Sequence, residues 1–214
     1  LRALSLNPVA IAAKASDGFQ PNGASLNAAA QGAASLLINS PNNPTGAVYT
    51  REETEAIVKM AVEHDLWILD DMIYSTLVWS EGGYTSPCEF DGGPERTVTI
   101  GGWSKGWAMT GWRLGYIGAP KEIAAACDKV QGQFTSATCS ITQRAAIAAM
   151  KADPSVLKDM IAAFKSRREL VLKGLAEIPG LISNQPGGAF YVFPDCSSYF
   201  GKKYGDKTIN NSDE

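Results

Sequence analysis

The chain has almost no histidine. His64 is the only one in 214 residues, so a histidine-dependent triad or a multi-histidine zinc centre has little to draw on. His64 stands at the polar end of a predicted helix, where a structural role suits it. No sign of charge dominates either. There are 19 basic and 22 acidic residues, a net −3, and no basic run or stripe, which argues against nonspecific nucleic-acid binding. No apolar run approaches the ~20 residues of a membrane span, and no signal-peptide pattern is visible. Cysteine is sparse. Cys88, Cys127, Cys139 and Cys196 show neither metal-type nor paired spacing and read as free thiols of a reducing, cytoplasmic compartment. No Gly-x-Gly-x-x-Gly and no P-loop lysine opens a helix, so a nucleotide-binding α/β reading is weak. Internal repeats and low-complexity tracts are missing as well.

The most informative stretch present is Ser-Lys-Gly-Trp-Ala-Met-Thr-Gly-Trp-Arg at 104–113. It follows Thr97-Val98-Thr99-Ile100, a β-branched run that reads as a strand and is broken by Gly101-Gly102. A second strand candidate, residues 114–118, comes directly after it. Most lysines are solvated surface charges, but Lys105 lies among Trp103, Trp107 and Trp112 in a loop between two buried strands. Loops at strand ends are where α/β proteins place their chemistry. An amine able to condense with an aldehyde, a neighbouring hydroxyl (Ser104) and a guanidinium (Arg113) are the groups that pyridoxal 5′-phosphate requires.

Two upstream segments have the same form. Residues 35–38 are a short apolar run ending in Asn39-Ser40-Pro41-Asn42-Asn43-Pro44-Thr45-Gly46, and residues 66–69 end in Asp70-Asp71-Met72-Ile73-Tyr74. In a parallel sheet the C-terminal ends of such strands lie side by side. An amide, a carboxylate, a phenol, an amine and a guanidinium are therefore expected to converge on one crevice. Taken singly, each has a plainer reading: Asn43 a turn residue before proline, Asp71 a helix cap or solvated loop acid, Tyr74 a packed aromatic with one satisfied hydroxyl, Ile73 ordinary core, Ser104 a loop hydroxyl bonded to backbone, Arg113 half of a surface ion pair. Asp70 fits the solvated-acid role better than Asp71.

Asn-Asn-Pro-Thr-Gly at 42–46, Asp-Met-Ile-Tyr at 71–74 and Ser-Lys-x-x-Ala-Met-Thr-Gly-Trp-Arg at 104–113 together resemble the class I/II, fold-type-I aminotransferases of the aspartate aminotransferase family. Gly187-Gly188-Ala189-Phe190-Tyr191 is similar to that family's small-domain motif. The resemblance implies pyridoxal phosphate as cofactor, bonded to Lys105, whose freed amine is then the base that moves the substrate α-proton. It implies Asp71 against the pyridine nitrogen, Tyr74 and Asn43 on the phenolic oxygen, Ile73 on a ring face, Ser104 and Arg113 on the phosphate, and a cis Asn43-Pro44 bond. It also implies a homodimer acting on an amino acid and a 2-oxo acid, with aspartate and 2-oxoglutarate leading. Aromatic, alanine or kynurenine specificity, elimination chemistry, or an inactive truncated piece are the alternatives.

The implied fold is an α/β, mostly parallel sheet flanked by helices, followed by the start of a small α+β domain: residues 1–153 for the large domain, 154–178 for a bridging helix and 179–214 for the small one. The patterning predicts a strand at 9–13, a helix at 51–64 opened by a Thr50/Glu53 capping box, and helices from Pro120 to about 129 and over 141–151. It also predicts a long helix from Asp153-Pro154 to about 178, stopped by Pro179-Gly180, and a frayed end over 201–214. Against the family plan, the chain reads as an internal fragment of a chain of about 400 residues, lacking a strand that belongs inside the sheet between two of those present, and too incomplete for stable activity.

Overall fold

Three short apolar runs build the sheet. In the computed structural model, which describes residues 5–213, β1 (Ser35–Asn39), β2 (Trp67–Asp71) and β3 (Thr97–Gly102) are parallel, with Leu36 opposite Ile68 and Ile68 opposite Thr97. β4 (Gly115–Gly118) is antiparallel to β3, pairing Gly102 with Gly115. A parallel return usually needs a helical crossover; the segment between β3 and β4 carries only a single 3-10 turn, Thr110–Trp112. The lysine loop therefore leaves and re-enters the sheet at the end where β1 and β2 finish.

Among the described residues, the strands that form leave no gap between them. The sheet order is β1-β2-β3-β4, each strand bonded directly to the next. A continuous ladder satisfies the inner backbone groups.

The main core lies on the face covered by α1 (Gly23–Ala30) and α2 (Arg51–Glu63). Ile57, Val58 and Ala61 of α2 are buried with Leu26, Ile38, Leu66 and Ile68. The α2 capping box forms as predicted, Glu53 N donating to Thr50 Oγ1 and Thr50 N to Glu53 Oε2. α1 was not foreseen. Its Gly/Ala-rich sequence carries little amphipathic signal, and its start is set by Asn22 Oδ1, which accepts from Ala24 N at 2.8 Å. His64 caps α2 and meets Asn27 of α1.

The strand expected at 9–13 is absent. That segment is irregular, with one isolated bridge, Ala13 to Pro21, since no neighbouring strand offers it a ladder. α3 (Lys121–Phe134) outruns its predicted end, and α4 spans Ser140–Lys151. The long helix begins with a 3-10 turn, Pro154–Leu157, before α5 (Lys158–Ala176). Met160, Ile161 and Phe164 of α5 pack against a second buried cluster of Tyr74, Leu77 and Ala189. The tail expected to fray instead forms a hairpin, β5 (Lys203–Tyr204) with β6 (Lys207–Thr208). Gly205, at φ +60°, makes the tight turn possible. Among the described residues no helix is long and apolar enough to cross a membrane, and all four cysteines are free.

Candidate active site

The end of β1 is knotted to the end of β2 by Asn39. Its Nδ2 donates to Asp71 O at 3.0 Å, and its Oδ1 accepts from Asn43 N at 2.8 Å. The turn that follows contains two cis peptides, Ser40-Pro41 and the expected Asn43-Pro44. Asn43 is held beside the carboxylate end of β2 as a result.

Alternation along β2 sends Asp70 and Asp71 to opposite faces. Asp71 is half-buried, and its Oδ1 accepts from Ile73 N at 3.3 Å. Asp70 is not the solvated acid expected from its sequence context. It is fully buried and accepts a hydrogen bond from the Tyr84 hydroxyl, because an inward position on a central strand leaves it no path to water. Burial pushes its carboxyl up to about 6, partly opposed by the Tyr84 hydrogen bond.

Tyr74 is buried, and its hydroxyl lies 2.5 Å from that of Tyr191. Burial raises its phenol pKa; Tyr191 and the charge of Asp71 add to the rise, and the Asn43 side chain pulls the other way. Asn43, Asp71, Tyr74 and Tyr191 thus share one neighbourhood. Ile73 is half-buried and reaches toward the β3 exit, where a Cβ on Gly102 would lie 3.2 Å from its Cδ1.

Lys105 sits in a tight turn, with Ala108 N donating to Lys105 O and Met109 N to Trp103 O. Gly106 lets that turn press on the segment after β2, since a Cβ there would fall 2.1 Å from Thr76 Oγ1. Lys105 Nζ lies 5.9 Å from the centre of the Phe190 ring, and that ring is 5.3 Å from Tyr74. No carboxylate pairs with Lys105 among the described residues. Ser104 and Lys105, with Thr110, Phe164, Arg167 and Phe190, line a cavity of about 420 Å³. Arg113 is at the margin, exposed and left-handed at φ +52°, its Nη1 donating to Thr110 O at 2.8 Å. It takes part in no ion pair among the described residues, so its guanidinium is not committed to a carboxylate.

Phe190 and Tyr191 were noted in the sequence as a motif but not as site residues. They reach the site because residues 187–191 are laced across the loops after β1 and β2: Gly188 N donates to Gly46 O, Ala189 N to Leu77 O, and Trp79 Nε1 to Ala189 O. The aromatic pair after Gly187-Gly188-Ala189 was the available signal; Asn39, an ordinary strand-end residue, gave none.

The donor set suits pyridoxal phosphate. It offers an uncommitted amine for an aldehyde, a carboxylate for a ring nitrogen, a phenol and an amide for a ring oxygen, and a hydroxyl and a guanidinium for a phosphate. Of these groups only Ser104 and Lys105 line the cavity of about 420 Å³; Asn43, Asp71, Ile73, Tyr74 and Arg113 lie outside its lining.

The family model for aminotransferase class I and II matches residues 1–211. A bifunctional aspartate aminotransferase and glutamate/aspartate-prephenate aminotransferase of Petunia hybrida is 43% identical over 183 residues, covering 83% of this chain and 38% of that protein. An aspartate aminotransferase of Rhizobium meliloti is 39% identical, with 91% and 48% covered. Among solved structures, the aspartate aminotransferase of Rhizobium meliloti matches with a TM-score of 0.92 at 38% identity, over 96% of this chain and 52% of that one. The Thermus thermophilus aspartate aminotransferase with maleate matches at 0.84 and 39%, over 88% and 50%. The chain thus spans about half the length, or less, of the relatives it matches. With that match over nearly its whole length, and with the asparagine, aspartate and lysine loops brought to one end of the sheet, the chain belongs to the class I and II aminotransferase family.

Proposed function

We propose that the protein containing this chain transfers an amino group between an amino acid and a 2-oxo acid with pyridoxal phosphate, aspartate and 2-oxoglutarate being the leading pair. The observation that carries this reading is the placement of an unpaired Lys105 amine beside Phe190, which itself packs on the Tyr74 that neighbours Asp71 and Asn43. The substrate pair is supported by relatives named as aspartate aminotransferases at about 40% identity.

Pyridoxal phosphate, when bound, supplies an aldehyde and an electron-accepting ring. Lys105 Nζ would meet the aldehyde and then take the proton from the substrate α-carbon, for which it needs to be free of a carboxylate partner. Asp71, at the end of β2, would hold a proton on the pyridine nitrogen. Tyr74 and Asn43 would orient the phenolic oxygen, Ile73 would cover a ring face, and Ser104 and Arg113 would bind the phosphate, where a bidentate guanidinium suits the dianion. Phe190 packs beside the Lys105 amine. The division at 153/154 and 178/179 into large domain, bridging helix and small domain belongs to the same reading, as do a homodimer and a cytoplasmic location. The last is supported by four free cysteines.

The test uses the full-length protein. It should develop a visible absorption band with pyridoxal phosphate, borohydride should fix the label on Lys105, and aspartate with 2-oxoglutarate should yield oxaloacetate. A label on any other lysine would refute the site assignment; a labelled Lys105 without aspartate turnover would refute only the substrate pair.

A further inference from the structure

The Tyr74–Tyr191 contact joins residues 117 positions apart. It is set by packing on both sides. The two rings meet edge to face at 5.5 Å and 84°, and Phe190 packs against both. The backbone of residues 187–191 is pinned by hydrogen bonds to Gly46, Leu77 and Trp79, so Tyr191 has little freedom to move away.

Two hydroxyls carry two protons, and their mutual bond uses one. Either Tyr74 donates to Tyr191, leaving Tyr74 with only lone pairs to present, or Tyr191 donates to Tyr74, leaving the Tyr74 proton free. An anionic oxygen beside Tyr74 selects the second arrangement, because bonds to charged acceptors are roughly twice as strong as neutral ones. A donor that itself accepts a hydrogen bond is also the better donor. We propose, resting on the pyridoxal phosphate reading of this site, that Tyr191 is a positioning residue: its hydroxyl donates to Tyr74 and so commits the Tyr74 proton to the phenolic oxygen of the bound ring. The Gly-Gly-Ala-Phe-Tyr segment at 187–191 thereby takes part in cofactor binding through Tyr74.

The experiment uses full-length protein and the variants Tyr191→Phe, Tyr74→Phe and both together. The first probe is pyridoxine 5′-phosphate on cofactor-free protein; it has the ring oxygen and the phosphate but no aldehyde for Lys105. Tyr191→Phe should weaken its binding about three- to tenfold, the effect of one lost hydrogen bond. In the Tyr74→Phe background the same change should do nothing further. The second readout is the pH midpoint of the visible band of protein loaded with pyridoxal phosphate, which Tyr191→Phe should raise by roughly half a unit to one unit as the phenolic oxygen loses stabilisation. An unchanged midpoint, additive effects of the two variants, or a Tyr191→Phe protein that fails to fold would each overturn the proposal, the last by showing the hydroxyl to be structural. Wild-type protein that binds neither probe and shows no visible band would remove the cofactor reading itself, and this inference with it. Wild-type binding with an indifferent Tyr191→Phe removes the relay alone.

Discussion

An amine is useful as a base only if it can shed its proton and reach carbon. Lys105 Nζ lies 5.9 Å from the centre of the Phe190 ring, and no carboxylate pairs with it among the described residues, so no ion pair has to break before it can reach carbon. In the full-length protein, Lys105→Ala should cut turnover by several orders of magnitude while much of the pyridoxal phosphate affinity remains, because phosphate and ring contacts survive. Steady-state rates beside a cofactor titration check this, and near-native turnover would rule Lys105 out as the base. Asp71→Asn should still bind the cofactor but slow α-proton exchange by at least ~100-fold, the scale of a lost electrostatic stabiliser. Deuterium washout from the substrate α-carbon measures it, and an unchanged rate would end the ring-nitrogen role. Asp70 is a different kind of acid. Its carboxyl is pushed up to about 6, chiefly by burial, so the folded state holds the proton more tightly than the unfolded chain does. The stability this gives is complete below the ordinary aspartate range and is lost as pH rises through about 6. Asp70→Asn keeps an acceptor for Tyr84 and removes the charge. It should gain about 1–3 kcal/mol over wild type at pH 7.5 and much less at pH 4. Equal thermal shifts at the two pH values would contradict this.

At the level of elements, the site depends on how closely three loops stack. Gly46 has φ +69°, and a Cβ there would lie 2.4 Å from Pro186 Cβ and 2.9 Å from Gly188 O. The turn after β1 and the segment carrying Phe190 and Tyr191 can touch only because this residue has no side chain. Gly46→Ala combines a left-handed penalty with overpacking and should cost about 2–4 kcal/mol in a urea unfolding curve. It should also weaken cofactor binding, because the 186–191 segment must move. A loss below about 0.5 kcal/mol would show that the two loops give way easily. The antiparallel return of β4 is equally consequential: it closes the lysine loop at the end where β1 and β2 deliver Asn43 and Asp71.

At the level of the molecule, much apolar surface is open. All four residues of β4 are exposed, and no residue of α3 or α5 is buried. Phe134 is 82% exposed and Ile141 72%. Contiguous apolar faces of this kind normally meet another surface, and β1 and β4 offer unpaired backbone at their outer edges. Residues 1–214 expressed alone should therefore self-associate and show no aspartate turnover. The cause is these open faces and edges; the four strands that form leave no gap between them. Light scattering and size-exclusion chromatography, with an activity assay, decide it. A monodisperse, cooperatively unfolding, active protein would overturn the expectation.

The residue types that fit the chemistry were legible in order along the chain. Three apolar runs end in Asn43, Asp71-Tyr74 and Ser104-Lys105 because a strand that stops at a loop displays its next residues at the sheet edge, and short-range patterning records that. The Thr50/Glu53 cap and the start of the 153–178 helix were legible for the same reason: their hydrogen bonds span only a few residues. Long-range packing decided the rest. Burial made Asp70 a protonatable core acid, a distinction invisible beside Asp71. Hydrogen bonds across 32 residues made Asn39 the link between β1 and β2. A missing neighbour left residues 9–13 without a strand. Tyr191 meets Tyr74 only because three loops fold over one another, and no local pattern encodes a contact whose partners are joined solely by the tertiary structure.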